Sequence, residues 1–205
     1  MPFYRDQVFP RLMNLMMDTK ETRKARARVC SDLRGDVVEI GFGTGLNLPH
    51  MPSTVSRLRV VEPAELGVRL AQDRIAAAPV PVEIAGLDGH FLPFEDDSAD
   101  AVLCTWTLCT IPDAVAAVRE ARRVLRPGGT FHFVEHGAAP DTAVRTWQNR
   151  LNGVQQRVAC GCNLNRDIPA LVAAGGLTIR RLDAYYTQGQ PKMFGATSEG
   201  VAEAA

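Results

Sequence analysis

The chain has 205 residues, the length of a single domain, and a chain of this size buries about 70% of its unfolded surface without a metal or disulfide staple. Its 23 Lys+Arg residues balance 23 Asp+Glu, so it lacks the basic excess of nucleic-acid binders. A content of 46% hydrophobic and 22% charged residues excludes a disordered chain. No run approaches the ~18 apolar residues of a membrane span, and the start, Met1-Pro2-Phe3-Tyr4-Arg5-Asp6, has no signal-peptide core. A cytoplasmic protein without stable membrane insertion is expected.

Phe3, Val8, Phe9, Leu12, Met13, Leu15 and Met16 recur at three- and four-residue steps and predict an amphipathic helix over 3–17. A second helix follows over 19–33, with Arg23, Lys24, Arg26 and Arg28 as a solvated basic face. After Gly35 short apolar strands are predicted over 37–40, 58–61, 82–84, 101–104 and 131–134. Between them lie helices over 64–78, stopped by Pro79 and Pro81, and over 112–125, ending in a tight turn at Arg126-Pro127-Gly128-Gly129. Helices over about 141–158 and 167–174 precede two extended runs, 177–183 and 192–197, joined without a helix. Apolar strands alternating with helices predict a doubly wound α/β fold, and the final hairpin makes one strand of the seven antiparallel. One domain is expected over 1–205, with helices over 1–34, the strand–helix alternation over 35–137 and a last part over 138–205 that ends in the hairpin.

The five cysteines (Cys30, Cys104, Cys109, Cys160 and Cys162) are odd in number, repeat at no framework spacing and are expected as free thiols. Cys160-Gly161-Cys162 offers half a zinc site. About four ligands are needed and no Cys/His cluster follows nearby, so no metal is expected.

In an open α/β sheet, ligands sit at the carboxyl ends of the strands, where strand order reverses. The first strand ends in Glu39-Ile40-Gly41-Phe42-Gly43-Thr44-Gly45, whose glycines let the backbone turn sharply and bring main-chain N–H groups against a ligand. A nicotinamide fingerprint wants a glycine or alanine where Leu46 stands, so the turn suits a nucleoside without a pyrophosphate. Glu62 directly follows the second strand at about the interval expected of an acid that accepts from both ribose hydroxyls. Asp88, in Leu87-Asp88-Gly89 past the third strand, can take the amino group of an adenine.

These residues resemble the class I S-adenosylmethionine-dependent methyltransferases. Glu39–Gly45 is similar to their glycine motif, Glu62 to their ribose acid, Leu87-Asp88-Gly89 to their adenine loop, and Leu125–Gly129 to the turn before their fifth strand. The resemblance covers roughly 35–137 and implies that this is the cofactor-binding half, with 1–34 a helical N-terminal lid and 138–205 the acceptor-side half. It implies S-adenosylmethionine as cofactor, bound by Gly41, Phe42, Gly43, Gly45, Asn47, Glu62, Pro63, Leu87, Asp88, Gly89 and Thr105. Downstream, Cys104–Cys109, Glu135-His136 and Gly161–Arg166 look like segments of the microsomal thiol S-methyltransferases and their bacterial relatives, some of which carry phospholipid or quinone methyltransferase labels.

That resemblance implies a small, largely apolar acceptor, a thiol first. The alternatives are a phenolic or quinone-type molecule, or a phospholipid headgroup. A nicotinamide oxidoreductase and a non-catalytic cofactor-binding subunit are the readings from other classes. A sulfonium methyl is already activated, so the protein must position the acceptor, exclude water and, where needed, remove a proton. Glu135 and His136, ending the fifth strand, are the candidate bases; His136 is equally a hydrogen-bond partner of the Cys160–Arg166 loop. His132 is read as a packed core residue, and His50 and His90 as loop residues. Trp106, Cys109, Trp147, Tyr185 and Tyr186 are candidate pocket walls, with both tryptophans more readily read as core. Asn163 and Arg166 either orient a polar acceptor or cap the helix that starts near Asp167.

Overall fold

The computed structural model describes residues 3–86 and 91–204; the expected adenine loop, Leu87-Asp88-Gly89, and His90 lie outside them. A π-helical turn (Tyr4–Val8) leads into α1 (Phe9–Met16), and α2 (Lys20–Cys30) follows. Thr19 starts α2 as half of a capping box. Its hydroxyl accepts from the Thr22 amide at 3.2 Å while its own N–H donates to the Thr22 hydroxyl at 3.0 Å, pairing two of the amides a helix start leaves without partners.

The strands are β1 (Gly35–Ile40), β2 (Val55–Val61), β3 (Val82–Gly86), β4 (Ala99–Thr105), β5 (Leu125–His136), β6 (Leu177–Tyr186) and β7 (Ala196–Ala204). The helices between them are α3 (Glu65–Leu70), α4 (Gln72–Ala76), α5 (Ala114–Val124), α6 (Thr142–Val158), α7 (Ile168–Ala174) and α8 (Lys192–Gly195). The sheet order is β3-β2-β1-β4-β5-β7-β6, and β7 runs antiparallel to both of its neighbours. The sheet is therefore doubly wound with one reversed strand, as the sequence predicts.

Adjacent strand residues feed opposite faces. Val38, Ile40, Val102, Phe131 and Phe133 pack on α5 and α7 through Ala117, Val118, Ala121 and Val172. Val37, Leu58, Val60, Leu103 and Val134 pack under α2 through Ala25, Val29 and Cys30. His132 is buried as expected, one ring nitrogen against the Val29 carbonyl at 3.1 Å and the other against the Thr130 hydroxyl at 3.0 Å.

Four local expectations are corrected. The helix predicted over 64–78 is two short helices meeting at the fully buried Ala71. Arg126-Pro127-Gly128-Gly129 lies inside β5, because an irregularity in the β4–β5 ladder absorbs it. The last hairpin contains a helix after all: 192–195 is α8, and the final strand starts only at Ala196. Trp147 is 54% exposed, since α6 turns Gln148 inward instead. The Gln148 amide accepts from Ala139 N–H and donates to the Gly137 and Met193 carbonyls. No helix among the described residues is long and apolar enough to cross a membrane.

Candidate active site

Strand order reverses between β1 and β4, so the crevice opens where Ile40 runs into the glycine turn and Thr105 ends its strand. Gly41 and Gly43 hold φ of 75° and 58°, a left-handed region that costs a residue bearing a Cβ. A Cβ on Gly41 would collide with the Thr107 side chain, whereas one on Gly43 would meet none of the described residues within 4 Å. The turn is thus tight on its sheet side and open on its outer side. Phe42 points away, 3% exposed in the core under α2, so only its backbone faces the crevice side.

Glu62 stands beside the turn. Its Oε2 accepts the Gly43 N–H at 2.6 Å and its Oε1 the Ala64 N–H at 2.8 Å. Each carboxylate oxygen keeps a second lone pair for another donor. Burial raises the Glu62 pKa against the pull of these two amides. Pro63, beside it, is exposed.

Beneath the turn lies a buried polar network. Asn47 Nδ2 donates to Glu39 Oε1 at 2.7 Å and to Thr105 Oγ1 at 3.0 Å. Arg26 Nη1 reaches Asn47 Oδ1 at 2.7 Å and Thr105 Oγ1 at 3.1 Å, and its guanidinium lies 4.6 Å from the centre of the Trp106 ring. The solvated basic face expected for α2 is therefore wrong at Arg26, which is only 6% exposed. Burial pushes the Arg26 pKa down to about 10 and the Glu39 pKa up to about 8. Glu39 Oε2 and Arg26 Nε are buried with no hydrogen-bond partner among the described residues, and buried polar atoms of that kind call for a ligand or water.

Residues 38–133 match a family model described as a methyltransferase domain. The chain is 30% identical over 176 residues to the thiol S-methyltransferase TMT1B of Homo sapiens, across 78% of this chain and 70% of that protein. The chain belongs to the S-adenosylmethionine-dependent methyltransferases. It is also 35% identical over 137 residues to human thiol S-methyltransferase TMT1A, which covers 64% of this chain but only 55% of that relative's length. A solved S-adenosylmethionine-dependent methyltransferase from Thermotoga maritima shares the fold, at a TM-score of 0.68 and 20% identity over 99% of this chain and 98% of that one.

The methyltransferase's turn and network fit its cofactor. The open side of Gly43, the spare lone pairs of Glu62 and the orphaned Glu39 oxygen together offer a nucleoside cradle with a buried acceptor beneath it.

The candidate bases are both engaged. Glu135 is 0% exposed, and its carboxylate accepts the N–H groups of Thr107 (2.7 Å), Leu108 (3.0 Å) and Cys109 (3.2 Å). It clamps the loop after β4, with burial raising its pKa despite those donors. His136 Nε2 lies 3.1 Å from Cys162 Sγ, the loop partnership anticipated as its alternative.

Arg166 donates to the carbonyls of Leu108, Ile111 and Pro112, while Asn163 Nδ2 bonds the Cys109 carbonyl at 3.0 Å. Both staple the same loop, and neither caps α7. Asp167 does that, accepting from Ala170 N–H at 3.1 Å. Tyr185 and Tyr186, at the end of β6, give their hydroxyls to Glu199 and Asp141.

All five cysteines are free. Cys162 does not pair with Cys160; it meets Cys109 and His136, far away in sequence.

Sequence reasoning missed Arg26 and the N-terminal reach of Asn14, whose Oδ1 accepts from the Thr44 hydroxyl at 2.7 Å. Glu39, Asn47 and Thr105 of this network were legible through the family motifs, whereas a lone arginine on a basic helix carries no mark of burial.

Glu39 sets a pH dependence. Its folded pKa of about 8 lies above its ordinary value of 4.5. The neutral form is thus favoured in the fold, and the associated stability is complete at low pH and lost as pH rises from about 4.5 to about 8. Glu39→Gln keeps the acceptor for Asn47 and removes the charge. The ligand-free wild type should therefore lose melting temperature relative to Glu39→Gln between about pH 5 and about pH 8. Parallel melting curves across that range would mean that Glu39 does not titrate there.

Proposed function

We propose that this chain methylates a small, largely apolar thiol from S-adenosylmethionine. The observation that carries the thiol over other acceptors is the engagement of both acid–base candidates at the end of β5. Glu135 is closed on three backbone amides and His136 Nε2 is held against Cys162 Sγ. An acceptor there has to ionise with little help. A thiol, with an ordinary pKa of about 8.5, does so near neutral pH, whereas a phenol or a lipid amine, near 10, does so far less. Similarity to two thiol S-methyltransferases supports the same acceptor class.

Bound S-adenosylmethionine supplies an activated methyl on its sulfonium. On this reading the outer face of the glycine turn receives the nucleoside, and Glu62 takes the ribose hydroxyls on its free lone pairs. Glu39, Asn47, Arg26 and Thr105 form the polar floor of the crevice. The N-terminal segment covers the site. Asn14 ties α1 to Thr44 in the glycine turn, and the Tyr4 hydroxyl bonds the Val158 carbonyl at the end of α6, at 2.9 Å. Anchored at both ends, it excludes water from an acceptor held beneath. The acceptor gives its proton to solvent before it is enclosed and binds as the thiolate, so the thiolate fraction governs the rate.

The test is a panel of an alkyl thiol, a catechol, a phenolic quinone precursor and phosphatidylethanolamine, each with tritiated S-adenosylmethionine. The alkyl thiol should be methylated fastest, with a rate that climbs with pH through the thiol's own pKa. Fast methylation of a phenol or the lipid amine, with none of the thiol, would overturn the proposal.

A further inference from the structure

Three side chains that the methyl transfer above does not use converge at the carboxyl edge of the sheet. Cys109 comes from the loop after β4, His136 from the end of β5 and Cys162 from the loop after α6. Cys162 Sγ lies 3.5 Å from Cys109 Sγ and 3.1 Å from His136 Nε2, and all three ligand atoms fall within 4.8 Å of one another. A tetrahedral ion bonded to sulfur at about 2.3 Å and to nitrogen at about 2.0–2.1 Å has sulfur–sulfur edges of about 3.8 Å and sulfur–nitrogen edges of about 3.5 Å. The two edges that meet at Cys162 need to lengthen by only a few tenths of an ångström to receive one, and the third, between Cys109 and His136, lies within 4.8 Å.

The surroundings hold the three in place. Cys109 N–H is fixed on Glu135 Oε2, and the Cys109 carbonyl accepts both the Asn163 N–H at 2.8 Å and Asn163 Nδ2 at 3.0 Å. The loop carrying Cys109 is thereby stapled to the loop carrying Cys162. The side-chain oxygen of Asn163 is itself held, by Asn152 Nδ2 at 3.2 Å and Gln156 Nε2 at 2.6 Å. A pair of cysteines and a histidine of this kind selects zinc-like ions over calcium or magnesium.

We propose that Cys109, His136 and Cys162 bind one zinc-class ion through two thiolates and an imidazole, leaving a fourth position for water or an exogenous thiol. Three protein ligands with one open position is the pattern of reactive rather than purely structural zinc. Binding releases the two thiol protons to solvent.

The experiment uses the full chain, stripped with a chelator, kept reduced with a phosphine and titrated with Co²⁺. One equivalent should bind, with an intense thiolate-to-cobalt charge-transfer band and the visible bands of a tetrahedral ion, and Zn²⁺ should displace it. Cys162→Ser should weaken binding by more than about a hundredfold, beyond the 10–100-fold effect of outer partners, and bleach the charge-transfer band. Cys160→Ser should change neither. If Cys162→Ser does not fold, as judged by circular dichroism, His136→Gln serves in its place, with the same loss expected. Absence of the charge-transfer band, or equal binding in wild type and in a folded ligand variant, would overturn the site and leave a hydrogen-bonded thiol cluster. Cobalt spectra read the ion without turnover, so metal binding and thiol methylation can fail separately.

Discussion

Glu135→Ala is expected to lower the melting temperature by roughly 10 °C, more than any other single change named in this protein. The carboxylate is fully buried and accepts three consecutive backbone amides, those of Thr107, Leu108 and Cys109. Its truncation leaves three donors without their partner, two of them buried and the Thr107 amide partly so. Each buried unsatisfied group costs about 1–3 kcal/mol. With partial relaxation the total is about 3–5 kcal/mol, and in a chain of this length each kcal/mol shifts the melting temperature by about 2–4 °C. Glu135→Gln retains one carbonyl oxygen and should lose about half as much. Because Cys109 hangs on this clamp, Glu135→Ala should also weaken the cobalt signal, while Glu135→Gln should largely keep it. A melting temperature unchanged in Glu135→Ala, read by calorimetry, would show that the loop after β4 does not depend on the carboxylate.

The second large effect is on cofactor affinity. Glu62→Ala should weaken adenosylhomocysteine by at least tenfold, and by about a hundredfold if both ribose hydroxyls donate to the carboxylate. Hydrogen bonds to a charged group contribute about 1.5–3 kcal/mol each, and every 1.4 kcal/mol is tenfold in affinity. The substitution also frees the Gly43 amide, which Glu62 holds at 2.6 Å, and so loosens the turn. Since burial already raises the Glu62 pKa and ribose hydroxyls favour the ionised form, affinity should fall as pH drops through that pKa and stay level above it. Isothermal titration of wild type, Glu62→Ala and Glu62→Gln measures all three effects. A dissociation constant that does not change in Glu62→Ala would remove Glu62 from the site.

Much of this molecule was written in local patterns. Strand–helix alternation determined the doubly wound sheet, because each apolar strand must be covered on two faces and only parallel crossovers do that. The glycine turn was legible for a backbone reason: Gly41 and Gly43 occupy conformations that other residues resist. Glu62 was legible because strand ends and spacing place an acid there whatever the surrounding packing.

What escaped the sequence depends on burial and on distant partners. Arg26 belongs to a run that reads as a solvated face, yet the end of β4 brings Thr105 and Trp106 against it and removes it from water. Glu135 and His136 end a strand at the ligand edge, which marks them as bases, and only the folding back of two loops engages them elsewhere. The pair Cys160 and Cys162 looked like an unfinished ligand set because adjacency in sequence was the only geometry available. The tertiary structure discards Cys160 and joins Cys162 to residues 53 and 26 positions earlier. Sequence order determined the sheet and the cofactor turn, since both follow from short-range backbone preferences and hydrophobic period. The state of each titratable group was decided only by the fold, because burial and the choice of hydrogen-bond partner are properties of the packed chain.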